Sequence, residues 1–283
     1  MERHIIFLTI GYLHNTRLAK LAVHWFVFSY VVGQTFVLRM TISCKNRQLH
    51  VAAKRRKRLP NNNTLHNMKK LIIFDMDGVL LDSEKLYMEM NQVFFKKLGA
   101  DISIAEHQTF VGISATKMWT YIKDKFNLSY SVYELKELEK ELKHTTLKET
   151  NLVPTFGVID FLEFLKQKGY ILTIASSGLK KNIDLILQKL DIEKYFDFVV
   201  SGEQVVKGKP EPDIFLKVAD HYDRLPNDCI VIEDSTNGVL AAKAANMFCI
   251  GYYNPNSGNQ DLTKADIVID SFKDQKLFDI IEN

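Results

Sequence analysis

Two carboxylates, Asp75 and Asp77, end a run of four apolar residues, Leu71–Phe74, and Gly78 follows at once. So short and unbroken a run reads as a strand buried on both faces, as inside a parallel sheet. Side chains alternate along a strand, so extended geometry carried through Met76 puts both carboxylates on one side. They repel one another unless a cation sits between them. An oxygen-only donor set suits Mg²⁺, which takes one or two carboxylates and keeps several waters. An Asp-rich turn is the plainer alternative for an isolated D-x-D-G, since Asp and Gly are ordinary turn residues.

Three further stretches stand at the ends of apolar runs. Ser176-Ser177-Gly178 closes one such run and opens a helical pattern. Hydroxyls and free backbone N–H groups there could hold an anion, although a serine cap reads the same way. In Lys207-Gly208-Lys209-Pro210-Glu211-Pro212-Asp213 the prolines stiffen the loop that carries Lys209. A lysine so held can neutralise a phosphoryl oxygen and its nucleophile. Glu233-Asp234-Ser235 places adjacent acids after a buried run. They either complete a metal site begun at Asp75 or sit favourably at a helix N-terminus. Each stretch is ambiguous alone. Their joint occurrence, each at the carboxyl end of a strand where open α/β sheets bind ligands, is specific.

The elements that must position these residues follow from periodicity. Strands are expected at 71–74, 170–175, 198–200, 229–232, 248–251 and 267–269. Helices at 158–168, 179–190, 212–222 and 236–245 alternate with them, which implies right-handed crossovers and a parallel sheet covered on both faces. Between the first strand and the second, helical patterns at 84–99, 114–126 and 132–147 form a separate block with no strand signal. The fold class expected is α/β, with a Rossmann-like parallel core over 68–82 and 152–283 and a helical cap inserted at 83–151.

In these motifs and their order, the sequence resembles the haloacid dehalogenase superfamily, in the branch with a small helical cap after the first strand; the match spans 68–270. The resemblance implies Asp75 as a nucleophile that becomes an aspartyl phosphate and Asp77 as the general acid/base. Ser176 would bond the transferred phosphoryl group and Lys209 would hold its charge. Asp75, Asp77, Glu233 and Asp234 would gather Mg²⁺. Ser177, Gly178, Gly112 and Lys117 are the expected substrate contacts. Halide-displacing members have no need of the second acid, so Asp77 argues for phosphate chemistry. The implied activity is a Mg²⁺-dependent phosphatase for a small phosphomonoester, a sugar phosphate by preference, with a β-phosphoglucomutase-type mutase as the alternative. In the mutase pattern an Arg follows a Gly-x-Ser in the cap; here Ala115 follows Gly112-Ile113-Ser114, and Tyr87 falls where the mutase has a His. A non-catalytic scaffold on this fold would be expected to lack Asp75, Asp77 or Lys209, and all three are present.

Charge divides the 283 residues unevenly. The first 67 hold eleven Lys/Arg and one acid, leaving 26 against 33 in the remainder. This basic extension is expected to lie outside the folded domain, with Met68 a natural start. Two other readings of it stay open. Residues 21–38 carry no formal charge and reach the short edge of a bilayer span. The Lys54-Arg55-Arg56-Lys57-Arg58 run suits an anchor's flank or a targeting signal. An acidic folded part repels nucleic acid, so the expected partner is a small phosphorylated metabolite, with no nucleic acid and no membrane, and the protein a monomer. Cys44, Cys229 and Cys249 lack metal-site spacing; the last two read as core residues, which fits a reducing cytoplasm.

Overall fold

The computed structural model describes residues 71–110 and 113–282. The 21–38 segment, the basic run at 54–58, Cys44, Met68 and Gly112 lie outside the described residues. Six parallel strands make one sheet: β1 (Leu71–Phe74), β2 (Ile171–Ser176), β3 (Phe198–Ser201), β4 (Cys229–Glu233), β5 (Phe248–Tyr252) and β6 (Ile267–Ile269), in the order β3-β2-β1-β4-β5-β6. β1 lies between β2 and β4, and its four side chains are fully buried. Alternation sends Ile72 and Phe74 into one core and Leu71 and Ile73 into the other. That double burial is why the run is apolar without interruption.

Of the helices described between β1 and β2, the first four form a separate block: α1 (Glu84–Lys97), α2 (Ile104–Gln108), α3 (Ala115–Phe126) and α4 (Val132–Glu149). They bury a core of their own around Phe94, Phe95, Trp119, Ile122 and Leu135. Ser131 and Glu134 form a capping box at the start of α4, which answers two of its orphan N–H groups. After the block come α5 (Val158–Gln167), α6 (Lys180–Leu190), α7 (Asp213–His221), α8 (Thr236–Ala244) and α9 (Gln275–Glu282). α5, α6 and α9 pack on the Phe74 face, and α7 and α8 on the Leu71 face. Cys229 and Cys249 are free thiols in the second core. Among the described residues no helix is long and apolar enough to cross a membrane.

The expected strands and helices are found, with two additions. α2 is five residues long and α9 lies near the end of the chain, so neither supplies enough turns for a helical period to stand out. Ser176 and Glu233, expected just past their strands, are instead the last residues of β2 and β4. Their backbones are therefore fixed by the sheet ladder.

The return from α4 to the sheet is held by one side chain of α6. Lys189 Nζ donates to the carbonyls of Leu147, Lys148 and Thr150 at 2.6–2.8 Å, groups that the end of a helix leaves without partners. Beside it His144 Nδ1 stands 2.7 Å from Asn182 Oδ1, and Lys181 pairs with Glu141 at 2.8 Å. Lys189→Met keeps the aliphatic stem and removes all three donors. The expected loss is about 1–2 kcal/mol after discounting for partial exposure, read as a lower urea midpoint at unchanged slope. An unchanged midpoint would mean that solvent serves these carbonyls equally well.

Candidate active site

The centre of the site is a buried ammonium group. Lys209 Nζ donates to Asp75 Oδ1 at 2.5 Å, to Glu233 Oε1 at 2.6 Å and to the Ala175 carbonyl at 2.9 Å. Its side chain is 5% exposed, and all three of its donors are used. The acceptors sit at the carboxyl ends of β1, β4 and β2, so one cation ties three strand ends together. Burial alone would lower the Lys209 pKa, but Asp75 and Glu233 outweigh it and hold the group above its usual value. Burial raises the Asp75 carboxyl to about 7, against the pull of Lys209 and with the repulsion of Glu233.

Asp234 is the third buried acid. Burial first, then Glu233 and Asp75, push its pKa well above the ordinary range, while Ser257 Oγ donates to its Oδ2 at 2.5 Å. Two glycines make room for this cluster. A Cβ on Gly78, whose φ is +82°, would stand 1.9 Å from Asp234 Oδ2; one on Gly238 would stand 1.8 Å from Glu233 Oε1. Both positions exclude any side chain.

Asp77 faces the helical block. Ser83 Oγ donates to its Oδ1 at 2.7 Å. Ser83 is the N-cap residue of α1 and makes no capping bond, so a hydroxyl that would ordinarily cap the helix serves a carboxylate instead. From α4, Lys143 Nζ reaches 3.9 Å from Asp77 Oδ2 and stands 3.5 Å from the centre of the Tyr87 ring. Asp75 and Asp77 are close enough for Asp77 to raise the Asp75 pKa.

The other expected residues divide. Ser176 is buried, and its Oγ accepts from Gly178 N–H at 3.0 Å. Gly178 lies beside Asp77, since a Cβ there would be 4.0 Å from Asp77 Oδ2. Ser177 is exposed, and the first N–H of α6 donates to Glu203 Oε2 at 2.8 Å, so that helix end already has its anion. Lys117 stands exposed on α3 and does not line the cavity described below. Glu233 gives Oε1 to Lys209 and Oε2 to the N–H and hydroxyl of Ser235. Both its oxygens thus accept from protein donors.

One loop escaped the sequence reading. After β5, Asn254 Nδ2 donates to the Gly78 carbonyl at 3.1 Å and to Asp82 Oδ1 at 3.2 Å; Asn256 Nδ2 donates to Asp82 Oδ2 at 2.6 Å. With Ser257 on Asp234, this Asn-Pro-Asn-Ser loop clamps the turn that carries Asp77. Its signal was its place, at the carboxyl end of another strand.

Among the described residues no three His, Cys, Asp or Glu side chains form a ready metal cage. The donors nevertheless fit a hard divalent cation. Asp75, Glu233 and Asp234 set three carboxylates against the single charge of Lys209, a surplus that a divalent ion would cancel. Mg²⁺ needs few protein ligands because it keeps several waters.

A cavity of about 370 Å³ lies between the helical block and the sheet edge, lined on one side by Glu84, Tyr87 and Asn91 and on the other by Asp234, Ser235 and Ser257. Among the described residues its one Lys or Arg is Lys143.

Residues 72–252 match the profile of the haloacid dehalogenase-like hydrolases. The chain is 36% identical over 174 residues to a phosphorylated carbohydrates phosphatase of Thermotoga maritima, covering 62% of this chain and 80% of that protein. It is 30% identical over 215 residues to hexitol phosphatase B of Escherichia coli strain K12, covering 74% and 95%. Among solved structures, β-phosphoglucomutase from Clostridium difficile superposes with a TM-score of 0.61 at 27% identity, covering 76% of this chain and 98% of that one. Strand order, strand-end acids and relatives agree: the chain belongs to the haloacid dehalogenase-like hydrolases, in the branch that holds phosphatases and β-phosphoglucomutase-like proteins.

Proposed function

We propose that this enzyme is a phosphoric monoester hydrolase that releases inorganic phosphate from a small phosphorylated carbohydrate by way of an aspartyl phosphate on Asp75. The observation that carries the reading is the Lys209–Asp75–Glu233 cluster, a carboxylate held rigidly beside a fixed cation at the carboxyl ends of the strands. The phosphatase relatives support it.

In the first step an Asp75 oxygen attacks phosphorus, the P–O bond to the alcohol breaks, and Asp77 gives its proton to the leaving oxygen. In the second, Asp77 takes a proton from water, the resulting hydroxide attacks phosphorus, and phosphate leaves with Asp75 restored. Splitting the transfer in this way replaces one difficult displacement by two easier ones. Ser83 and Lys143 hold Asp77 in place for proton transfer with the leaving group. Lys209 aims Asp75 and offsets charge gathering on the phosphoryl oxygens, helped by Ser176 and the Gly178 turn. Asp75, Asp77 and Asp234 would hold Mg²⁺, which when bound neutralises phosphoryl charge and the surplus of the buried acids.

Asp75→Asn keeps the volume and removes the nucleophile. Turnover of a phosphomonoester panel is expected to fall by about 10⁴-fold or more with the fold retained; a tenth of the activity surviving would contradict the covalent route. Chelation is expected to stop turnover. Added Mg²⁺ is also expected to raise Tm, more at pH 8 than at pH 5.5. The sign follows from Asp75: its folded-state pKa is raised, so protonation stabilises the ion-free fold at low pH, and that support fades as pH rises toward 7. A Tm indifferent to Mg²⁺ at both values would count against the metal site.

Mutase activity is the competing reading, favoured by the superposition on β-phosphoglucomutase. A mutase must grip a second phosphate while the bisphosphate turns round, a task suited to an Arg fork. Ala115 occupies the matching position, Lys117 does not line the cavity, and Lys143 stands by Asp77. Supplied with β-glucose 1-phosphate and a trace of the 1,6-bisphosphate, the enzyme is expected to release free phosphate. Glucose 6-phosphate accumulating faster than phosphate would favour the mutase.

A further inference from the structure

Asp77 and Asp234 both lie past the last ladder residues of their strands, Phe74 of β1 and Glu233 of β4. The sheet register that fixes Glu233 therefore does not fix them. What holds them is the loop after β5, and within it Asn254, which is buried with every polar group of its side chain in use. Its Nδ2 donates to the Gly78 carbonyl and to Asp82 Oδ1, and its Oδ1 accepts from Asn256 N–H at 2.9 Å. Its main-chain carbonyl accepts from Ser257 N–H at 3.1 Å, and Ser257 in turn donates to Asp234 Oδ2. One residue thus grips the turn after Asp77 and, through its neighbour, an acid from another strand. The Asp234 oxygen that takes the Ser257 proton is also the one a Gly78 Cβ would meet at 1.9 Å, so the two held parts are in close contact. Asn256 Nδ2 takes the second oxygen of Asp82, and the next residue, Ser83, bonds Asp77.

We propose that Asn254 is a positioning residue for the cation site, fixing Asp234 against the turn that follows Asp77; this rests on the Mg²⁺ reading above. Carboxylates brought this close repel one another until a cation joins them, so the ion-free fold must hold them together by other bonds. Mg²⁺ demands near-octahedral ligands and tolerates little misplacement, which makes the spacing between the acids a direct determinant of affinity. Asn254 supplies that spacing without joining the ligand set, since its amide is spent on Gly78, Asp82 and Asn256. Asn256 supports it from the exposed side by holding Asp82. Residues that orient ligating carboxylates in this way commonly govern metal affinity by about 10–100-fold.

The test uses Mn²⁺ as the probe and needs no substrate. Titrating the full chain into Mn²⁺ and following the free-ion signal by electron paramagnetic resonance gives a Kd, and added Mg²⁺ is expected to release the bound ion. Asn254→Leu keeps the bulk and removes every polar group; its Mn²⁺ Kd is expected to rise about tenfold or more. Asn256→Ala, at an exposed position, is expected to give a smaller rise and decides the matter if Asn254→Leu does not fold. Lys189→Met, which weakens the fold away from the acids, is expected to lower Tm and leave the Kd unchanged. Folded Asn254 and Asn256 variants that bind Mn²⁺ as tightly as the wild type would overturn the proposal. So would an equal rise in Lys189→Met, because the effect would then be general loss of stability. A wild type that binds no Mn²⁺ would sink the cation reading itself, and the positioning role with it.

Discussion

One buried ammonium group joins the ends of three strands, and the site depends on it. Lys209 meets Asp75, Glu233 and the Ala175 carbonyl within 2.9 Å. Removing it would leave two buried carboxylates facing each other without compensation, a change typically costing 3–5 kcal/mol when a buried pair is broken. The same arrangement explains the glycines at 78 and 238, since the acids occupy the space where a Cβ would stand. It also accounts for the placing of Glu233 in the ladder of β4, where its backbone cannot drift.

The helical block answers the sheet from the other side. α4 brings Lys143 to Asp77 and Tyr87, while Lys189 and Asn182 of α6 hold the far end of α4. The carboxylate Asp77, just past the first strand of the sheet, thus takes contacts from the block, from Ser83 at the start of α1 and from Lys143 on α4. Chemistry assigned to the sheet and selection assigned to the block meet at this residue.

Much of this was legible in the sequence because its causes are local. Leu71–Phe74 had to be a central strand, being apolar at every position, and the acids after it had to lie at a carboxyl edge. Asp75, Asp77, Ser176, Lys209 and Asp234 do converge there. What was not legible depends on distance through space. Lys117 was an expected substrate contact, but it stands exposed on α3 and does not line the cavity. Glu233 and Asp234 are neighbours in sequence, and only the fold shows Lys209 and Ser235 taking both oxygens of the first. The Asn254–Asp82 bond spans 172 positions, beyond any periodicity.

The central claim is that Asp75 becomes phosphorylated during turnover. The direct measurement is to quench the working enzyme, treat it with borohydride, and map the product by mass spectrometry. An acyl phosphate at Asp75 would be reduced to the alcohol, giving homoserine at residue 75 only when substrate was present. Steady turnover with Asp75 unmodified throughout, or reduction at another carboxylate instead, would contradict the account.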